Sequence, residues 1–324
     1  MNRRDLLRSI GGAVFCISAP TFSQTPPAVR RIGFLSSESP SNQGKRLEAL
    51  RAGLRDLGYT EGKDIVIEVR WAEGNYGRLP ALAAELSRLH VSVVVTSGTK
   101  ATLAMRGANT PIPIVMGSTG DPIGLGLAAN LARPGGTVTG SSNLGSELAG
   151  KRLELLKEAM PRLERAAYIV NPADPTPAFA TLKSAAAALK VELRLVEVAA
   201  AKDFERSIVD LARQRFEAIV LQGDTLFQVN APALADLTKK HRLPSAGILE
   251  YAEAGGMIGY GADPLEGNRR AAVYVDKILK GAQPGELPIE GAMRFQLKLN
   301  LKTARMLGIE MPQSLMLRAA EVIQ

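Results

Sequence analysis

The 324-residue sequence predicts an α/β protein of two lobes, each built on a largely parallel sheet. Three observations carry that prediction. Short β-branched runs alternate with segments of helical period along nearly the whole chain, which is how βα units around parallel strands read in sequence. The length exceeds the roughly 250 to 300 residues at which a single core stops growing, so two cores are expected. The alternation also pauses once, at the turn-rich stretch Arg133-Pro-Gly-Gly-Thr-Val-Thr-Gly-Ser-Ser-Asn143, where one sheet should end and another begin.

The N-terminus comes before the first strand and reads as an address. Arg3, Arg4 and Arg8 precede an apolar run from Ile10 to Phe22, and Ser23-Gln24 follow, which is the charged, apolar, small order of a signal peptide over residues 1–24. The run is well short of the roughly 20 residues a membrane-spanning helix needs. Arg3-Arg4-Asp5-Leu6-Leu7 resembles a twin-arginine signal, with the general secretory route as the alternative. Cys16, the only cysteine, is preceded by Val14-Phe15 instead of the small residues a lipoprotein site needs. Cleavage near Ser23 removes it, so disulfides, zinc-thiolate sites and thiol nucleophiles are excluded from the mature chain. A periplasmic location follows as the expectation.

Strands are then expected at Arg31 to Leu35, Ile65 to Trp71, Val91 to Thr96, Ile112 to Met116, Ala166 to Val170, Glu192 to Val198 and Ala218 to Leu221. Unbroken apolar runs such as Val93-Val94-Val95 belong to strands buried on both faces. Between them Leu47, Leu50, Leu54 and Leu57 recur at helical spacing, as do Phe179, Leu182, Ala186 and Leu189, so each set covers a sheet face. A helix from Ser146 to Met160 follows the first crossing between lobes. A second crossing is expected at Gly259 to Asp263, after a strand that closes the second sheet and before a helix from Pro264 to Lys280. The crossings give an N-terminal lobe of 30–142 plus 264–290 and a C-terminal lobe of 143–263 plus 291–324.

Composition narrows the function. The net charge of +8 arises from 40 basic and 32 acidic residues spread along the chain. Basic clusters are no larger than pairs such as Lys239-Lys240, so the pattern reads as solvated surface, and no nucleic-acid partner is expected. The two histidines, His90 and His241, each precede a strand and form no metal-spaced pair, and no nucleophile elbow or phosphate-binding loop is present. Gly124-Leu-Gly126-Leu-Ala-Ala129 imitates a dinucleotide fingerprint but starts too far beyond its strand, and reads as helix packing. No cofactor or metal is expected. An enzyme using carboxylates on a small polar substrate needs no motif and is the alternative.

Ligands of open α/β sheets bind beyond the carboxyl ends of the strands. Those ends read Ser36-Ser37-Glu38, Ser97-Gly98-Thr99, Gly117-Ser118-Thr119-Gly120-Asp121, Asn171-Pro172-Ala173-Asp174, Gln222-Gly223-Asp224-Thr225 and Tyr260-Gly261-Ala262-Asp263. Helix capping and turn formation explain any one of them. That small hydrogen-bonding residues occupy all of them predicts a polar cleft. Ser97-Gly98-Thr99 opens a helix and could cradle a carboxylate, with Asp121 or Asp224 accepting from an ammonium or hydroxyl. Trp71 and Tyr76 read as packing residues.

Several segments in order resemble the substrate-binding proteins of ABC transporters with the type I periplasmic-binding-protein fold, in particular those related to tryptophan- and tyrosine-binding proteins. They are Gly53-Leu-Arg-Asp-Leu-Gly-Tyr59 with Glu61-Gly62-Lys63, Trp71-Ala-Glu-Gly74, Pro111-Ile-Pro-Ile-Val115, Asp121-Pro122, Pro134-Gly-Gly-Thr-Val-Thr-Gly140 and Asn300-Leu-Lys-Thr-Ala304. The resemblance implies two Rossmann-like lobes joined by a three-stranded hinge, closing on a small ligand without chemistry and docking on an inner-membrane permease. Positions that match the family's cleft loops are Ser36, Ser37, Ser97, Thr99, Ser118, Thr119, Asp121, Asn171, Asp224 and Tyr260. An amino acid or a small polar or aromatic acid is the expected ligand, and a monomer the expected state.

Overall fold

The computed structural model describes residues 29–143, 145–174 and 178–324, so the leader expected at 1–24 lies outside the described residues. The chain opens with β1 (Arg30–Ser36), α1 (Pro40–Asp56), β2 (Ile65–Trp71), α2 (Leu79–Arg88), β3 (Val93–Ser97), α3 (Thr99–Gly107), β4 (Ile114–Thr119) and β5 (Val138–Ser142). Next come α4 (Gly145–Ala159), β6 (Arg165–Val170), α5 (Ala178–Ala188), β7 (Glu192–Glu197), α6 (Phe204–Arg213), β8 (Ala218–Leu221), α7 (Thr225–Val229), α8 (Ala231–Lys240), β9 (Ser245–Gly247), α9 (Leu249–Glu253) and β10 (Ile258–Ala262). The chain ends with α10 (Pro264–Leu279), β11 (Glu290–Gly291), β12 (Phe295–Asn300), α11 (Leu301–Leu307), α12 (Gln313–Arg318) and β13 (Glu321–Ile323).

Two sheets result. The first has the order β11-β5-β4-β3-β1-β2 and is parallel throughout. The second runs β13-β12-β10-β9-β8-β6-β7 and is parallel except where β12 meets β10. Alternation along the strands decides which helices each face receives. Ile32 and Phe34 of β1 join Leu50 and Leu54 of α1 and Ala271 and Val275 of α10, whereas Leu35 joins Leu82 and Leu86 of α2 and Met105 of α3. In the second lobe Tyr168 and Val220 pack with Leu153 and Leu156 of α4, and Ile169 and Ile219 pack with Ile208 of α6 and Leu234 of α8. Each sheet therefore lies between two helical layers, the α/β architecture expected from the sequence.

The structure differs from the sequence reading in particular places. The stretch read as an irregular crossing contains β5, a full strand of the first sheet, and the chain leaves that sheet only after Ser142. Gly140 has φ 119°, and a Cβ there would lie 2.4 Å from the Met116 carbonyl, so this glycine, which resembled a turn former, serves a close backbone approach. β4 begins at Ile114 and not at Ile112, because Pro113 lacks an N–H and contributes only its carbonyl, which accepts from Val94. β10 does not close the second sheet, since β12 pairs with it antiparallel and β13 lies outside β12. Leu57 falls just beyond α1 and is 40% exposed, so the buried stripe ends at Leu54. Gly124 to Ala129 forms successive turns and no helix, with Gly126 at φ 65°.

The chain passes between sheets three times: after β5, after β10 and between β11 and β12. The passages are tied to one another. Ala292 donates its backbone N–H to Ser142 at 2.8 Å, and Asp263 donates to Arg294 at 3.0 Å. Helix α10 follows a strand of the second sheet yet packs on α1, β3, β4 and β5 of the first.

Candidate functional site

The carboxyl ends of the two parallel sheets face a cavity of about 110 Å³. Its walls are built as much by helices as by strand ends. From the first lobe come Glu38 between β1 and α1, Gln43 and Arg46 in the first half of α1, Tyr76 from the loop after β2, Thr99 and Lys100 at the start of α3, and Ser118. From the second come Arg152 of α4, Asp174, Gln222, Asp224, Gln228 of α7 and Glu250 of α9.

The strand-end serines and threonines divide into two groups. Thr99 and Ser118 line the cavity; Thr99 Oγ1 accepts from the Gly120 N–H at 3.1 Å, and Ser118 Oγ accepts from Asn143 at 3.4 Å. Ser36 and Ser97 are fully buried behind it, and both donate to Gln43 Oε1 at 2.8 Å. Gln43 in turn donates through Nε2 to Glu38, and both of these line the cavity. The two serines thus hold the residues that reach the ligand space without reaching it themselves. Thr119 shares a hydroxyl bond of 2.8 Å with Thr102, which shares another of 2.8 Å with Thr96, a chain buried at the sheet end. Ser37 is buried, and its hydroxyl has no hydrogen-bond partner among the described residues.

Asp121 stands outside the cavity wall. Its Oδ1 accepts from the N–H groups of Ile123 and Gly124 at 3.1 and 3.0 Å, the capping role open to any aspartate after a strand. Tyr260 contributes its carbonyl near the cleft, while its ring stacks on Phe295 with centroids 6.2 Å apart. Asn171 lies behind Asp224 and donates to its Oδ1 at 2.9 Å. Asp224 lines the cavity, and its Oδ1 also caps α7 by accepting from the Leu226 N–H at 2.8 Å.

The remaining Asp224 oxygen is met from the other lobe. Tyr76 donates its phenol to Asp224 Oδ2 at 2.7 Å, and burial, with the carboxylate second, pushes that phenol above its ordinary pKa. Trp71 packs edge-on against Phe34 at 5.5 Å, so of the two aromatics in this stretch only Tyr76 bridges the cleft. Two further bonds span the lobes. Arg46 Nη2 donates to Glu250 Oε1 at 2.9 Å, and Lys100 donates to the Ala173 carbonyl while its ammonium lies 5.9 Å from the Tyr76 ring centroid.

Arg152 is the wall residue the strand-end reading missed. It is 2% exposed, with Nε donating to the Tyr260 carbonyl at 2.9 Å and Nη1 to the Leu221 carbonyl at 3.2 Å. Burial lowers its pKa to about 10, which leaves it charged at neutral pH. A sequence signal was present. Arg152 lies four residues from both Leu148 and Leu156, a lone charge inside the apolar stripe of its helix.

Among the described residues no cluster of His, Cys, Asp or Glu is arranged to hold a metal ion, and no helix is long and apolar enough to cross a membrane. Residues 25–323 match the family model described as ABC transporter substrate binding protein. The chain belongs to that family. This substrate-binding protein is 22% identical over 276 residues to a tyrosine-binding protein of Clostridioides difficile strain R20291, covering 84% of this chain and 79% of the relative. A conserved domain protein from Vibrio cholerae superposes with a TM-score of 0.85 at 25% identity, over 91% of this chain and 99% of the other. The ABC domain in complex with L-Trp from Streptococcus pneumonia gives a TM-score of 0.85 at 22% identity, over 91% and 100%. Both neighbours share the two-lobed fold, and the family is a substrate-binding class.

Proposed function

We propose that this protein is the extracytoplasmic solute-binding component of an ABC importer, which holds a small organic acid or amino acid between its lobes and presents it to a membrane permease. The observation that carries this reading is a cavity whose wall is shared by both lobes, at the carboxyl ends of both sheets, with hydrogen bonds crossing from one lobe to the other. A ligand touching both walls favours the closed arrangement by its differential contacts, so binding acts as a population shift about the three linked crossings. Tyrosine and tryptophan, the ligands named for two relatives, support the ligand class. The predicted leader at 1–24 supports export, and the chain acts as a monomer without turnover.

The test is native mass spectrometry of protein recovered from its own cell envelope, followed by a thermal-shift screen and small-angle scattering. Expected are a retained small molecule, compaction on adding it, and a mature N-terminus near residue 24. Conversion of a screened compound to product would overturn the non-catalytic part of the reading. Absence of compaction with a confirmed ligand would overturn closure.

A further inference from the structure

We propose that Arg152 is the ligand's carboxylate receptor, so that the solutes taken by this protein are carboxylic acids and not neutral sugars, polyols or polyamines. The inference deepens the solute-binding reading and rests on it.

Charge placement carries the argument. A guanidinium has five N–H donors, and the two bonds that Arg152 makes go to the Tyr260 and Leu221 backbone carbonyls. Among the described residues no carboxylate is hydrogen-bonded or ion-paired to it; Glu250 acts on it only through space and is itself paired with Arg46. A charge taken out of water is costly unless an opposite charge meets it, and removing solvent from an unpaired one is costlier than losing the pair's own attraction is worth. The other cations of the wall are placed differently. Arg46 already has Glu250, and Lys100 sits at the exposed rim, bonded to a carbonyl. Arg152 alone combines near-complete burial with a position on the cavity wall and no carboxylate partner among the described residues.

The backbone around it keeps the remaining donors uncovered. Gly223 and Gly261 both line the cavity; a Cβ on Gly223 would stand 3.9 Å from both Nη1 and Nη2 of Arg152, and one on Gly261 3.9 Å from Nη2. Without those side chains the Nη1–Nη2 edge is left for a planar, bidentate acceptor, the geometry a carboxylate supplies. The two carbonyl bonds fix the plane of the fork before the ligand arrives, and both carbonyls belong to central strands of the second sheet, β8 and β10. A preorganised receptor on rigid strands loses little freedom on binding.

The experiment compares acids with their primary amides. The twenty proteinogenic amino acids and succinic, lactic and benzoic acids, each beside its amide, together with sugars and polyamines, are screened by thermal shift on the full chain, and responders are measured by calorimetry. Expected is binding confined to acids, each roughly 30-fold or more tighter than its amide, with Arg152→Gln removing that preference and Arg152→Lys restoring part of it. A purely structural role for Arg152 would weaken acid and amide alike. Equal affinity of the wild type for acid and amide overturns the proposal and needs no variant to fold. A response confined to neutral compounds overturns it while sparing the solute-binding reading, and a protein that responds to no compound of any class overturns both.

Discussion

At the scale of single residues the cleft depends on side-chain length. Tyr76 reaches across from the first lobe to Asp224, whose other oxygen is already used by Asn171 and by the α7 N-terminus. Tyr76→Phe removes only the bond that exists when the lobes are together, so its cost falls on the closed form. Affinity for the ligand should drop roughly 10-fold, the equivalent of about 1.5 kcal/mol for a hydrogen bond to a charged group, with the unfolding midpoint nearly unchanged. Calorimetry beside thermal unfolding checks both, and an equal loss in stability would contradict it. Asp224, Thr99 and Ser118 were legible in sequence because a strand end fixes position at the sheet's carboxyl edge. Ser36, Ser97 and Thr119 sit at that edge too, but their side chains are too short to pass the layer of helical residues in front of them. Gln43, Arg46, Arg152 and Glu250 reach the cavity because they are long, and their helices carry no comparable positional rule.

At the scale of elements, α1 packs against α10, and the approach rests on Gly53. A Cβ there would lie 2.6 Å from the Arg269 carbonyl and 2.8 Å from the Ala272 Cβ. Gly53→Ala gains helix propensity but forces the two helices apart, and overpacking of this kind outweighs the gain, at about 1–3 kcal/mol. The melting temperature should fall by roughly 2–10 °C with the ligand affinity of the folded protein preserved. An unchanged melting temperature would show that the pair can slide without cost. The α1 stripe from Leu47 to Leu54 was legible, as were the β-branched strands, because burial on a regular element imposes its period on the sequence. β5 was hidden because glycine, demanded by the approach to Met116, is also what turns are made of. β9, only Ser245–Gly247, is too short to display a period at all.

At the scale of the whole molecule, closure is decided by what spans the lobes, and Arg46–Glu250 is the pair best placed to report it. Glu250 Oε1 accepts from both Arg46 at 2.9 Å and Gln228 at 3.1 Å. These three residues line both the inner cavity and an outer groove of about 610 Å³, so they form the partition between the ligand space and the outside. The first two crossings were legible from turn composition and helix starts, and the third only as a lobe boundary at 290/291, because β11 has two residues and the antiparallel turn of β12 onto β10 breaks the βα alternation. With the three crossings hydrogen-bonded to one another and each lobe holding its own core, separating the lobes breaks the partition without disturbing either core. Glu250→Gln leaves the Arg46 side chain, 10% exposed with the lobes as they stand here, without its counter-charge, and opening the cleft returns it to water. The penalty is therefore borne by the closed state alone. A larger radius of gyration without ligand and a dissociation rate raised roughly 10-fold are expected, with the unfolding midpoint shifted little. Arg46→Met should give the same phenotype, and the double variant should be no worse than either single one, since both remove one interaction. Additive effects in stopped-flow dissociation would mean that the two residues act on the ligand separately and that the partition is not a latch.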